Sequence, residues 1–237
     1  MVNLKKVLVA SIAKSPKLEH ILTENGYVIV DRNPDFILIY GGDGTILYSE
    51  RIYPQVLKLI VKKGSSCRRC DYSIEQLPGI LKKIREGQTE IQHEMKLEAD
   101  YKQHKLVGLN EIQIHTKLPT SAVRFALTVN GKSYDDLIGD GAVIATPFGS
   151  TGYYQSTGGK QFTEGIGISF NNLHNKRLSS LVVSDESIIK IRISRGPALL
   201  IADNNQNFLE LEKDDCCSIK KSKTVARFIQ ISSKWLK

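Results

Sequence analysis

The hydrophobic spacing of the chain changes once along its length, and that change limits the possible folds more than any single motif. Between Lys6 and Gly87, short apolar runs alternate with stripes of helical period. Lys6-Val7-Leu8-Val9-Ala10 reads as a strand. Ser15-Pro16 is a helix start, with Ser as the cap and Pro at the first helical position. Leu18, Ile21 and Leu22 then share one face, and Gly26 ends the helix. Residues 27–30 and 35–40 read as two further strands, and a helix is expected after Gly44. Leu77, Ile80, Leu81 and Ile84 form another helical stripe that stops at Gly87. Strands alternating with helices predict a parallel sheet covered on both faces.

After about residue 95 the pattern changes and the period becomes two. Val123, Phe125, Leu127 and Val129 alternate, and Asn130-Gly131 supplies a hairpin turn. Ile189, Ile191 and Ile193 alternate, as do Leu209 with Leu211 and Ile229 with Ile231. The expected fold class is therefore α/β plus all-β: an N-terminal α/β domain with a parallel sheet, then a C-terminal β-sandwich-like domain. The boundaries read as 1–92 and 93–226, with the tail 227–237 a candidate to rejoin the first domain.

A chain of 237 residues has room for two small cores. No apolar stretch approaches the ~18 residues that span a bilayer, and the N-terminal apolar run reads as a first strand rather than a leader; a cytoplasmic protein without membrane partners is expected. The formal net charge of +8 favours anionic ligands. The basic residues are scattered and lack an aromatic-interleaved or otherwise recognisable nucleic-acid motif, so no specific nucleic-acid partner is expected. Cys67 and Cys70 form C-R-R-C, and Cys216 and Cys217 are adjacent. Neighbouring cysteines chelate one tetrahedral ion poorly, so no protein-held metal is assigned; Cys67 and Cys70 are candidates for redox chemistry.

Three segments carry chemistry. The first is Gly41-Gly42-Asp43-Gly44-Thr45, placed after the apolar run 36–40. Ligands of parallel sheets bind beyond the carboxyl ends of strands. Glycines there let an anion approach the backbone amides, which together with a helix N-terminus cradle phosphate. Gly41, Gly42, Gly44 and Thr45 are the phosphate-binding candidates. Asp43 would repel a phosphate unless it serves a hydroxyl proton or a magnesium ion, so it is a candidate general base or metal partner; the plain alternative is a turn Asp bonding its own backbone. The second segment is Asn110-Glu111. That pair matches the donor and acceptor edges of adenine, or a ribose diol, or else is a polar strand start. The third runs from Asp140-Gly141 through Thr146-Pro147-Phe148-Gly149-Ser150-Thr151-Gly152-Tyr153 to Ser156 and Gly158-Gly159. Its hydroxyls suit phosphate or ribose oxygens and Tyr153 offers a flat face to a base; a capped helix between two turns would also account for it.

In order and spacing these segments resemble the NAD kinase family, whose marks are G-G-D-G-T, a later N-E or N-D pair, and D-G-x-x-x-x-T-P-x-G-S-T-x-Y-x-x-S-x-G-G. The resemblance covers roughly residues 5–235. The first motif also occurs in lipid kinases and 6-phosphofructokinases; the long third motif is far more specific. The resemblance implies transfer of phosphate from ATP, or from polyphosphate, to the 2′-hydroxyl of the adenosine ribose of NAD. It implies a divalent metal, magnesium, and a homodimer or homotetramer. It makes Asp43 the catalytic carboxylate, with Gly44, Asn110, Glu111, Asp140, Thr151, Gly152, Tyr153 and Ser156 binding NAD. Within that set Tyr153 packs on the base, and Asp140 lies near the nicotinamide end, often reaching across from a neighbouring subunit. The alternative is an NADH-preferring kinase or another kinase with this glycine turn, such as a lipid kinase.

Four departures from the family pattern stand out. Leu137-Ile138 replaces a basic residue ahead of Gly139, a region that bears on the choice between NAD and NADH. Lys62, Lys63, Arg68 and Arg69 fall where many members have a glycine-rich segment, and are candidates to grip donor phosphates. Gly152 stands for the usual Ala. Asp203-Asn204-Asn205-Gln206 and Asn171-Asn172-Leu173-His174 differ enough that no role is carried over to them.

Overall fold

The computed structural model describes residues 4–63 and 72–231. The chain forms two compact units: Met1–Glu94 with Ala226–Lys237, and Met95–Val225. Cys67, Arg68, Arg69 and Cys70 lie outside the described residues.

The first unit contains β1 (Lys6–Ala10), α1 (Pro16–Glu24), β2 (Val28–Ile29), β3 (Phe36–Gly41), α2 (Asp43–Ile52), β4 (Leu57–Lys62) and α3 (Leu77–Arg85). Its strands run parallel in the order β2-β1-β3-β4. Phe36, Ile37, Leu38 and Ile39 are all fully buried, as expected of a strand covered on both faces. Leu18 and Leu22 of α1 and Leu77, Ile80, Leu81 and Ile84 of α3 complete the core. The Ser15 side chain accepts a hydrogen bond from the Leu18 amide at 3.4 Å, capping α1, and Gly26 follows the helix at φ +78°.

Two elements differ from the sequence reading. The second strand keeps only Val28 and Ile29, both largely exposed at the sheet edge, because Tyr27 turns inward and donates its hydroxyl to Leu81 O at 3.0 Å. α2 begins at Asp43 rather than after Gly44, so Asp43 is the first helical residue and Gly42 the cap.

The second unit is built from β5 (Thr89–Tyr101), β6 (His104–Gly108), β7 (Glu111–Thr116), β8 (Val123–Val129), β9 (Lys132–Gly139), β10 (Gly141–Ala145), a 3-10 turn (Phe148–Thr151), α4 (Tyr153–Ser156), β11 (Ile166–Asn171), β12 (Leu181–Val183), β13 (Ile189–Arg195), β14 (Ala198–Ala202), β15 (Leu209–Leu211) and β16 (Cys216–Ile231). β5 enters from the first unit, and β16 leaves for it, ending with Phe228 parallel to Lys58 of β4. One antiparallel sheet has the order β12-β11-β10-β7-β14-β15. The other elements of this unit pair as β16-β13-β8-β9, with a β5–β6 hairpin joined to β16. Ile112, Ile114, Ile144 and Ile168 of the first sheet share a core with Phe125, Leu127, Ile189, Ile191 and Ile193. The alternation of residues 123–129 and 189–193 is thus the inner face of a β-sandwich, whereas Ile229 and Ile231 pack in the core of the first unit. Asn130 and Gly131 both adopt positive φ, +47° and +88°, the geometry a two-residue hairpin requires.

Candidate functional site

In the first unit, β3 delivers its chain to Gly41 and α2 starts two residues later. A Cβ on Gly41 would lie 2.3 Å from Thr45 Oγ1, so the first turn of α2 folds back against a backbone that must be glycine. Gly42 has extended backbone and nothing within 4 Å of where a Cβ would stand. No packing contact requires glycine there, and the open space is what an approaching anion needs. Asp43 occupies the first turn, half-buried. Lys62 is the register partner of Gly41 at the carboxyl ends of β3 and β4, and Lys63 Nζ lies 5.6 Å over the Tyr40 ring. Lys62 and Lys63 thus stand on the chain beside the end of β3 that leads into the glycine turn.

In the second unit the Asn110-Glu111 segment is held from two sides. The Thr146 hydroxyl, fully buried, donates to Leu109 O at 2.7 Å and accepts from the Gly149 amide at 3.0 Å, and the Thr146 amide donates to Asn110 O at 2.8 Å. A Cβ on Gly149 would fall 2.2 Å from Asn110 O, so this close approach also needs glycine. From the other side, the Asp203 carboxylate accepts from the amides of Leu109 and Asn110, each at 2.8 Å, and of Glu111 at 3.1 Å. Glu111 Oε1 accepts from Gln113 Nε2 at 3.2 Å, while Oε2 is buried without a partner. Burial first, and the Asp203 charge second, push the Glu111 carboxyl up to about 8. A Cβ on Gly152 would stand 3.5 Å from Asn110 Nδ2 and 3.6 Å from Glu111 Oε2, so the two polar side chains converge over that glycine.

The remaining residues divide. Tyr153 is 44% exposed and presents its ring outward, whereas Tyr154 is 1% exposed and packs edge-on against Phe162 at 5.3 Å. Thr151 is half-buried, and the exposed Ser156 donates its hydroxyl to Gly152 O at 3.3 Å. These residues gather with Asn110 and Glu111 at one end of β10. Asp140 does not join them: Ala145 pairs with Glu111 but Gly141 pairs with His115, which places Asp140 just beyond the opposite end of the strand, about 17 Å away at strand rise. There its amide donates to Asn171 O at 2.9 Å and its Oδ2 accepts from Asn172 Nδ2 at 3.2 Å. Among the described residues no group of three or more His, Cys, Asp or Glu side chains could hold a metal ion.

No role follows for Asp203 from the sequence, where it opens Asp203-Asn204-Asn205-Gln206, one of the departures from the family pattern; the amides it binds belong to a segment more than ninety residues earlier.

The family model described as the ATP-NAD kinase C-terminal domain matches residues 109–231. The chain is similar to an NAD kinase of Thermoplasma acidophilum, 26% identical over 213 residues that make up 88% of this chain and 78% of that one. By fold it matches an NAD kinase from Archaeoglobus fulgidus crystallised with ATP, with TM-score 0.82 and 24% identity over 98% of this chain and 95% of that one. It also matches yeast NADH kinase crystallised with NADH, with TM-score 0.83 and 16% identity over 99% and 86% of the two chains.

Proposed function

The chain belongs to the NAD kinase family, and on that premise we propose that it phosphorylates the 2′-hydroxyl of the adenosine ribose of NAD to give NADP, with ATP, or alternatively polyphosphate, as donor. The observation that carries the reading is the family match across 109–231, which contains the Asn110-Glu111 pair, Asp140 and the whole 146–159 segment. The glycine turn of the first unit lies outside that match; its open Gly42 and the half-buried Asp43 that opens α2 support its reading as a phosphate cradle with a carboxylate in it.

An alcohol is a weak nucleophile, and phosphoryl transfer depends chiefly on positioning and charge stabilisation. Asp43 accepts the proton of the 2′-hydroxyl as its oxygen attacks the terminal phosphorus of the donor. Gly41, Gly42, Gly44 and Thr45 line the place of the donor phosphate oxygens; the Thr45 amide is committed to Gly42 O at 2.9 Å, so Thr45 serves through its hydroxyl. Asn110, Glu111, Gly152, Thr151 and Ser156 bind ribose and adenine, Tyr153 stacks on the base, and Asp140 serves the nicotinamide end. Magnesium fits as a phosphate-borne ion, since such sites use one or two carboxylates and substrate oxygens rather than a protein cage; when bound it neutralises charge on the donor. A cytoplasmic homodimer or homotetramer belongs to the same proposal. Among the described residues no helix is long and apolar enough to cross a membrane.

The test is NADP formation by purified protein with ATP and magnesium, NAD and NADH being offered separately. The wild type makes NADP from NAD. Asp43→Asn lowers the rate at least about 100-fold, the scale of a general base, while NAD still binds. Product from NADH alone would replace NAD as the acceptor; Leu137, a core residue, and Ile138 are the features that would favour it. No product with either acceptor and either donor would end the kinase reading.

A further inference from the structure

The amides of Leu109, Asn110 and Glu111 form a run of three donors that converge on one carboxylate, the first on its Oδ2 and the other two on its Oδ1. Such a run of amides ordinarily makes a nest for a ligand anion. Here the chain fills it with its own carboxylate, brought by Asp203 from a turn after β14. Asp203 holds φ +50°, a conformation that costs a non-glycine residue energy unless its contacts enforce it. Gly108 makes way for it: a Cβ there would lie 3.1 Å from Asp203 Oδ1 and 2.5 Å from Glu111 O.

We infer that Asp203 is a positioning residue of the dinucleotide site, fixing the backbone from which Asn110 and Glu111 reach the ligand and acting through its charge on the Glu111 carboxyl. The inference rests on the dinucleotide-binding role proposed for Asn110 and Glu111. Glu111 is 5% exposed, with one carboxyl oxygen unpartnered beside Gly152, so it has little solvent to buffer a neighbouring charge. Its surroundings are Asn110 before it, Gln113 and then His115 along the same face of β7, Ala145 opposite on β10, Gly152 above, and Asp203 behind. Among the described residues Asp203 is the charge that acts on it, in the same direction as burial. Removing that charge lets Glu111 ionise at lower pH.

The experiment uses the full chain and Asp203→Asn, which keeps one carbonyl oxygen to accept from the amides. The Glu111 carboxyl carbon is followed by NMR from acid to alkaline pH, and KM and kcat for NAD are measured across the same range. The Glu111 midpoint moves to lower pH in the variant, the inflection of KM moves with it, and KM rises on the order of tenfold while kcat changes little. An unchanged midpoint overturns the charge coupling. An unchanged KM, or a fall in kcat alone, overturns the positioning role. If Asp203→Asn does not fold, Asp203→Glu retains the charge but misplaces it against the amides, and the expected result is a raised KM without a downward shift of the midpoint. A wild type that makes no NADP would remove the substrate reading, and the carboxyl midpoints would still decide whether Asp203 acts on Glu111.

Discussion

Tyr153 and Tyr154 are neighbours with opposite fates. Tyr154 fills the space left by Gly159 and Gly167, where an added Cβ would come within 2.2 Å and 2.8 Å of its ring. Tyr153 is left with its face outside. Tyr153→Ala should therefore raise KM for NAD on the order of tenfold, the loss of about 1–3 kcal/mol of stacking on one base, with the melting temperature nearly unchanged. A drop in melting temperature with unaltered KM would show a packing residue instead. Tyr153 could be picked out from the sequence because its motif is contiguous. Asp203 could not, because its partners are the amides of residues 109–111, and a backbone donor leaves no mark in a side-chain pattern.

At the level of elements, local physics made much of the fold readable. The cap at Ser15, the helical stripe of α3 and the Asn130-Gly131 turn each depend on a few adjacent residues. The start of α2 is not legible locally, because Gly42 is the cap through its carbonyl, which accepts from the amides of Thr45 at 2.9 Å and Ile46 at 3.2 Å, bonds that glycine counting cannot reveal. α2 is tied at its other end by a buried ion pair. Lys58 Nζ, on β4, lies 2.6 Å from Glu50 Oε2 and donates to Tyr53 O and Val56 O, each at 2.8 Å. Lys58 is 0% exposed and Glu50 4%. Lys58→Met leaves the Glu50 charge buried and should cost about 3–5 kcal/mol in chemical denaturation. Adding Glu50→Gln should recover much of that loss; a single variant as stable as the wild type would mean the pair does not anchor the helix that begins with Asp43.

For the whole molecule, the displaced acid groups make stability depend on pH in a definite sense. The Glu111 carboxyl is raised from 4.5 to about 8, so the folded chain holds a proton that the unfolded chain releases. Its contribution is fully present below pH 4.5 and is lost as pH rises through about 8. Cys217 and Tyr27, both pushed up to about 12 by burial, extend the loss into the alkaline range. Asp35 and Asp215 work the other way: the backbone amide of Lys6 first, and that of Lys5 after it, hold the first below the usual carboxylate range, and the Tyr101 hydroxyl chiefly the second, so their support is lost as pH falls through acid values. Melting temperature should fall between pH 5 and 8 more steeply in the wild type than in Glu111→Gln; parallel curves would show that Glu111 ionises normally. The route of the chain carries a further consequence, for the order of events during synthesis. Domains generally fold as they emerge, the earlier ones first. Here β4 has β3 on one side and the far end of β16, also parallel, on the other, and the residues from Ala226 belong to the unit that holds β1 to β4. The ribosome must translate the whole sandwich before that sheet can receive its last strand, so the half of the protein that is made first is the half that waits.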